Sequence, residues 1–339
     1  MTRLTFKSRA NSIPGVRNGF TLVELMISIV LSLVLTVVVA EVYLNSKKTY
    51  RVSDNLSRVQ ENGRYFLEEL GRDIRMAGYV GCAKSAPITN NAIPVTSEWL
   101  AFGQAVNGYE LPSVPGGLTT AEVLAGTDVI KVQRAIGGDV RLTGNFPPNN
   151  ANVQIDSNLD NFVADDILMV ADCTAADIFR ATTVSSGGGK VTIPHSASTN
   201  SSPMLSKLYN KDAELLKLST NIYYIGTGVS GCPTNTLCRK VLSGISLVVQ
   251  PLIDNVENLQ IDYGEDTNND DTANKFVNAA SVGNWGEVVS VRFSLLLRTG
   301  ESTLADSAQT YTFRGTTYPA SRYLRRVYTE TVTLRNRTQ

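Results

Sequence analysis

From Phe20 to Ala40 the chain is predominantly apolar and carries one acid, Glu24, near the start of the run. About 20 helical residues cross a bilayer, so this stretch predicts a membrane-length helix. No Gly or Pro, the strongest helix breakers, occurs from Phe20 to Asn62. Beyond the apolar run the pattern turns amphipathic. Val52, Leu56, Val59, Gly63, Phe66, Leu70 and Ile74 recur at steps of three and four, which marks one face of a helix. Lys47, Arg51, Arg58, Glu61, Glu68 and Arg72 fall largely outside that stripe. The pattern predicts one helix over 20–77, with 20–40 in lipid and the rest packed on a soluble head, ending near Met76 to Gly78.

From Tyr79 onward the helical period is lost. Short β-like runs, "GTDVIKVQRA", "DDILMVADC", "GKVTIPHS" and "NIYYIGTG", alternate with stretches rich in Thr, Ser, Asn and Gly. In "WGEVVSVRFSLLLR", Val289, Val291, Phe293, Leu295 and Leu297 face one way and Ser290, Arg292, Ser294 and Arg298 the other. This is the period of a half-buried strand. In "VYTETVTLRNR", Thr329, Thr331 and Thr333 oppose Tyr328, Val332 and Leu334 in the same way. Residues 83–120 and 141–160 read as long loops, and no internal repeat is visible. The fold class expected is α+β: a long N-terminal helix against a β-rich head over 78–339.

Charge gives the chain a direction. Formal charge is balanced overall, but the first 19 residues hold Arg3, Lys7, Arg9 and Arg17 and no acid. Basic residues before an apolar span keep the N-terminus cytoplasmic, which sends the head to the periplasm. The run exceeds the apolar core of a secretory signal, and no A-x-A site follows it. Four cysteines, Cys82, Cys173, Cys232 and Cys238, all lie on the exported side. An even number there reads as disulfides, and four allow three pairings. Cys232 and Cys238 bracket the short "CPTNTLC" loop, which pairs them and leaves Cys82 with Cys173. A metal site is the weaker reading, since there is no C-x-x-C and His195 is the sole histidine.

Ser28, Ser32, Thr36 and Ala40, spaced by four, make a small-residue stripe that permits close helix approach. The opposing reading is that their hydroxyls bond back to their own helix. "GFTLVELMIS" resembles the type IV prepilin signature: a basic leader ending in Gly19, a new N-terminus at Phe20 and a glutamate, Glu24, just inside. The resemblance implies a leader over 1–19, cleavage by prepilin peptidase between Gly19 and Phe20, and N-methylation of Phe20. It also implies that Glu24 of one subunit pairs with the new amine of another. A buried charge near a membrane helix centre costs about 2.5–3.5 kcal/mol, which such pairing would lower.

Major pilins of this class tend to be about half this length and commonly carry a kinking proline where this chain has Glu41. "ENGRYFLEELGRDIRMAGYVGC", "NLQIDYGEDTNNDD", "WGEVVSVRFSLLLR" and the terminal "TVTLRN" resemble minor pilins of the PilW family. That resemblance implies a subunit priming a type IV pilus at or near its tip, in the service of twitching motility, adhesion or DNA uptake. The implied partners are other minor pilins, the major pilin, a large tip adhesin, prepilin peptidase and the inner-membrane assembly platform. The implied location is the inner membrane, then the pilus, or fimbrium, on the cell surface. The alternative is a J-type minor pseudopilin of type II secretion, usually a shorter chain.

Other constellations carry less. Asp266, Asn268 and Asp270 match the opening of a calcium loop, but Asp271 stands where Gly is required and Val277 where the bidentate Glu belongs. A solvated acidic turn is the preferred reading. Arg314, Arg322, Arg325, Arg326, Arg335 and Arg337, interleaved with Tyr318, Tyr323 and Tyr328, have the residue types of a nucleic-acid surface. A solvent face that discourages edge aggregation explains them as well. "SSGGGKV" lacks the spacing of a phosphate loop, and no nucleophile motif stands out. An enzyme is not expected, and no cofactor beyond that calcium reading.

Overall fold

The uninterrupted helix forms from Leu22 to Arg75 as α1, 54 residues long, in the computed structural model. The structure describes residues 19–83, 86–93, 98–99 and 102–337. Residues 1–18 of the expected leader lie outside the described residues. The chain divides into two compact units, 1–54 and 55–339, and α1 has residues in both.

In the first unit the side chains of α1 are exposed from Leu22 to Arg51, Leu35 to 65 %, and Phe20 just before it is exposed to 87 %. By length and composition α1 can cross a membrane.

In the second unit the apolar stripe of α1 is covered. Val59, Gly63, Phe66, Leu70 and Ile74 are buried, and the edge of the Phe66 ring meets Phe293 with centroids 5.3 Å apart. Arg72 and Arg75 occupy the last turn, where cations favour the helix dipole. Asn336 Nδ2 donates to the carbonyls of Met76 and Ala77 at 3.3 and 3.1 Å, satisfying groups the ending helix leaves open. Gly78 then turns the chain at φ +74°, packed so that a side chain there would strike Ala105.

Among its described residues the head holds seventeen strands. β1 (Ile88–Asn90), β2 (Val106–Glu110), β3 (Asp128–Arg141), β4 (Asn152–Ile155), β5 (Ile167–Asp172) and β6 (Ala175–Arg180) come first. β7 (Ser185–Gly187), β8 (Lys190–Pro194), β9 (Glu214–Ile225), β10 (Leu237–Ser243) and β11 (Ser246–Ile253) follow. β12 (Val256–Glu265), β13 (Lys275–Val277), β14 (Val288–Arg298), β15 (Gln309–Phe313), β16 (Thr316–Ser321) and β17 (Arg325–Thr333) complete the chain. An eight-stranded sheet runs β1-β6-β5-β9-β10-β11, with β3 also on β9 and β2 on β3. β9 organises it. One edge pairs with β3 along most of its length, while the other is shared between β5 and β10. A second sheet runs β13-β12-β14-β17 and is antiparallel throughout. β4-β8-β7 form a small third sheet, and β15-β16 a hairpin whose two-residue turn, Arg314-Gly315, has positive φ at both positions.

The main core lies where α1 meets both large sheets: Phe66, Leu70 and Ile74 join Ile130, Tyr223, Ile261, Phe293 and Leu295. Two sequence expectations need correction. β14 is covered on both faces, because Ser290 and Ser294 are buried as well as the apolar set. Ser294 bonds Thr329 on β17, and the Arg292 guanidinium lies 4.5 Å from the Phe276 ring centre. The stretches read as long loops hold β1 and β2 in 83–120 and β4 in 141–160, and a short 3-10 turn at Thr120–Glu122 starts where the first of them ends.

Candidate assembly site

Gly19 and Phe20, singled out in the sequence, lie just before α1, which starts at Leu22. Around Gly19 an added Cβ would meet nothing within 4 Å. Thr21 and Glu24 then close on one another. Glu24 Oε2 accepts the Thr21 backbone N–H at 2.9 Å and its hydroxyl at 3.0 Å, while Thr21 Oγ1 accepts the Glu24 N–H at 3.3 Å. This is the reciprocal capping box that starts a helix, and an acid in the first turn also suits the dipole. Sequence reasoning had assigned Glu24 only a role between subunits, although T-x-x-E is itself the signal for a cap. Along the stripe, Ser28 Oγ donates to the Leu25 carbonyl at 2.9 Å, Ser32 to Ser28 at 2.7 Å and Thr36 to Ser32 at 2.7 Å. The hydroxyls are thus satisfied within α1, and with Ala40 they leave a low surface with no unmet donor.

In the head, one acid breaks the apolar stripe of α1. Asp73 is 1 % exposed. Its Oδ2 accepts from Tyr223 Oη at 2.6 Å and Asn221 Nδ2 at 2.5 Å, and its Oδ1 from Arg134 Nη2 at 3.1 Å. One turn earlier Glu69 takes Arg239 Nη1 at 2.5 Å, and that same nitrogen reaches the Tyr223 hydroxyl at 3.4 Å. Burial, and then the Asp73 charge, push the Tyr223 phenol well above its ordinary range, which fixes it as the donor. Side chains from β3, β9 and β10 therefore converge on two acids of α1. The sequence analysis missed Asp73.

β17 approaches α1 through glycine. A Cβ at Gly63 would lie 2.4 Å from the Tyr328 ring, and at Gly71 3.2 Å from the Glu330 carboxylate, which itself pairs with Arg75 at 3.0 Å. Disulfides join Cys82 to Cys173 and Cys232 to Cys238, with Cα atoms 4.7 and 6.1 Å apart. The first ties the segment after α1 to the β5–β6 turn. The second closes the loop between β9 and β10.

Residues 16–40 match the prokaryotic N-terminal methylation motif, and residues 222–336 match the family described as type IV pilus-assembly protein W. Each match covers part of the chain, 25 and 115 of its 339 residues. The type IV-like pilin from Thermus thermophilus is a similar solved structure, at 11 % identity and a TM-score of 0.35 over 83 % of this chain and 99 % of that one. No curated protein matches. The two family matches point to a structural subunit.

The PilW-matching segment contains both the acidic turn and most of the arginine cluster. Asp266 Oδ1 accepts the backbone N–H of Asn268 and of Asp270, both at 3.2 Å, and its Oδ2 that of Asp271 at 2.7 Å. Asn268 Nδ2 donates to Asp270 at 3.0 Å. The turn is thus held by its own N–H groups, and among the described residues no group of three or more His, Cys, Asp or Glu could hold a metal ion. Four of the six C-terminal arginines bond within the head. Arg325 grips Glu257 with two nitrogens, Arg314 pairs with Asp262 at 2.5 Å, Arg322 donates to the Ala305 carbonyl, and Arg337 to the Trp285 carbonyl and Gln104. The tyrosines are engaged as well: Tyr318 accepts from Asn258, Tyr323 lies 4.2 Å from the Arg298 guanidinium, and Tyr328 covers Gly63. Most of the basic-aromatic residues are therefore engaged within the head, on β12, β17, the β15–β16 hairpin and the loops beside them.

Proposed function

We propose that this chain is a minor pilin that primes a type IV pilus and enters it at or near the tip. The observation that carries the reading is the register between signature and helix. The methylation motif covers 16–40, and the helix it predicts begins at Leu22 with every apolar side chain from there to Leu44 exposed. Such a surface is stable only in lipid or against other apolar helices. On this reading prepilin peptidase cuts between Gly19 and Phe20, Phe20 is N-methylated, and Glu24 pairs with the amine of a neighbouring subunit. The Ser28, Ser32, Thr36 and Ala40 stripe meets other pilin helices. The chain enters the inner membrane with its N-terminus cytoplasmic and its head periplasmic, and passes into the pilus with other minor pilins, the major pilin and a tip adhesin.

The test is the terminus of the pilus-associated protein. Mass analysis of its N-terminal peptide should begin at methylated Phe20, and an intact Met1 terminus in assembled material would overturn the reading. A deletion strain should lose surface pili. Loss of protein secretion with pili retained would favour the J-type pseudopilin instead.

A further inference from the structure

Two acids of the head stand opposite one another without a cation of their own. Glu110 ends β2 and Asp128 begins β3, and the antiparallel ladder pairs them directly. Both line an open cavity of about 370 Å³, shared with Asp262 of β12 and Arg314 of the β15–β16 turn. Asp128 is 8 % exposed, and its Oδ2 accepts the Ile261 N–H at 2.7 Å, which bridges the two large sheets. Glu110 Oε2 takes only Asn278 Nδ2, at 3.3 Å, while its Oε1 is buried with no partner. The cations nearby are committed elsewhere. Arg292 and Arg314 both bond Asp262, at 2.9 and 2.5 Å. Tyr109, beside Glu110, turns its hydroxyl to Glu98, which also takes Lys131. The buried Tyr263 hydroxyl has no partner and feels Asp128 and Glu110 most among its charged neighbours. Among the described residues, neither Glu110 nor Asp128 forms an ion pair.

We propose that Asp128 carries a proton at the seam between the sheets, and that its presence holds the end of β2, where Glu110 stands directly across the ladder, closed on β3. With the proton in place the pair carries one charge, and the Ile261 and Asn278 donors suffice. When it leaves for the water of the cavity, two like charges face each other directly across the ladder, an arrangement that destabilises strand pairing. Burial, with Glu110 and Asp262 adding and the Ile261 N–H and Arg314 opposing, pushes the Asp128 carboxyl up to about 7. The release would then fall near neutral pH.

The experiment is hydrogen exchange with mass analysis on the full chain in detergent micelles. Peptides covering β2 and β14 are compared at about pH 6 and about pH 8.5, on either side of the expected release. After correction for intrinsic exchange, β2 should lose roughly tenfold in protection while β14 does not. Asp128→Asn and Glu110→Gln should each abolish that loss. An equal loss at β14, no loss at β2, or a loss unchanged in both variants would overturn the proposal. If Asp128→Asn fails to fold, Glu110→Gln decides alone.

Discussion

The Tyr223 hydroxyl donates to the Asp73 carboxylate at 2.6 Å, both groups buried, one on α1 and the other on β9. This bond fixes the rotation of the helix against the sheet as well as its position, because Arg134 and Asn221 approach the same carboxylate from different directions. Asp73→Ala leaves a guanidinium and a phenol with no acceptor. Breaking a buried pair this way costs about 3–5 kcal/mol, whereas Tyr223→Phe, which removes a single donor, should cost about 1–2 kcal/mol. Thermal unfolding of the full chain in detergent measures both. Equal small effects would show that apolar packing alone seats the helix.

Gly63→Ala tests the approach of β17. Alanine is the better helix former by about 1 kcal/mol, so an open site would be stabilised. Here the new methyl would lie 2.4 Å from the Tyr328 ring, and the expected result is destabilisation. In a Tyr328→Ala background the same change should become neutral or stabilising. That reversal of sign, read from the unfolding midpoints of the four proteins, isolates the contact.

The head was legible in the sequence where one period ran long enough to be read. The stripe from Val59 to Ile74 gave the helix, and the alternation in β17 put Thr329, Thr331 and Thr333 outside, as the structure has them. β1 could not be read, since it is three residues long and pairs in parallel with β6, whose partners lie 88 positions away. The outer face of β14 read as solvent-exposed because Arg292 and Ser294 are polar, yet its neighbours supply their partners and cover them. Asp73 failed for a related reason. An acid beside Ile74 reads as the edge of the apolar stripe, and only the folded sheet brings Arg134, Asn221 and Tyr223 to it. At the N-terminus the Thr21-x-x-Glu24 pattern of a capping box lies inside the prepilin-like signature, so one glutamate fits both a cap and a pairing between subunits.

Acid should weaken the head through His195. The ring is 1 % exposed and stacks 4.7 Å from Phe179. Burial, opposed by the Asp177 charge, lowers its pKa to about 4. Between that value and the ordinary 6.5 the unfolded chain binds a proton that the folded one does not. Stability is therefore full above about pH 6.5 and falls as pH drops toward 4, by roughly 3 kcal/mol from this group. His195→Phe should flatten that limb in unfolding midpoints measured across the window. An unchanged slope would assign the acid loss to other groups.

The two disulfides should contribute unequally. Cys82–Cys173 closes a separation of 91 residues and Cys232–Cys238 one of 6. On the chain-entropy account these correspond to about 4.6 and about 2.3 kcal/mol. Paired serine variants, Cys82→Ser with Cys173→Ser and Cys232→Ser with Cys238→Ser, should differ in that order in denaturant unfolding. The opposite order would mean that the buried Cys232–Cys238 loop matters through packing.

The two roles open to Glu24 can be separated, because a cap needs an acceptor and a charge pair needs a charge. Glutamine serves at this place in a capping box, so Glu24→Gln keeps the Thr21 contacts and removes the carboxylate charge. Thr21→Val does the reverse, deleting the hydroxyl that both donates to Glu24 and accepts its N–H. Glu24→Ala removes both. If pairing with a neighbour's amine governs entry into the pilus, Glu24→Gln should fail as fully as Glu24→Ala, with Thr21→Val close to wild type. If the cap governs, Glu24→Gln should assemble and Thr21→Val should not. Gly19→Val supplies the reference for unprocessed protein. Its site has open space for a side chain, so a block there reports the peptidase's demand for glycine rather than damage to the fold. Immunoblots of membranes and of sheared pili from the same cultures give the two quantities needed. Normal membrane levels with absent pilus signal in Glu24→Gln would establish the charge as the feature that admits this subunit. Pilus signal equal to wild type in that variant would leave Glu24 as the start of a helix and nothing more.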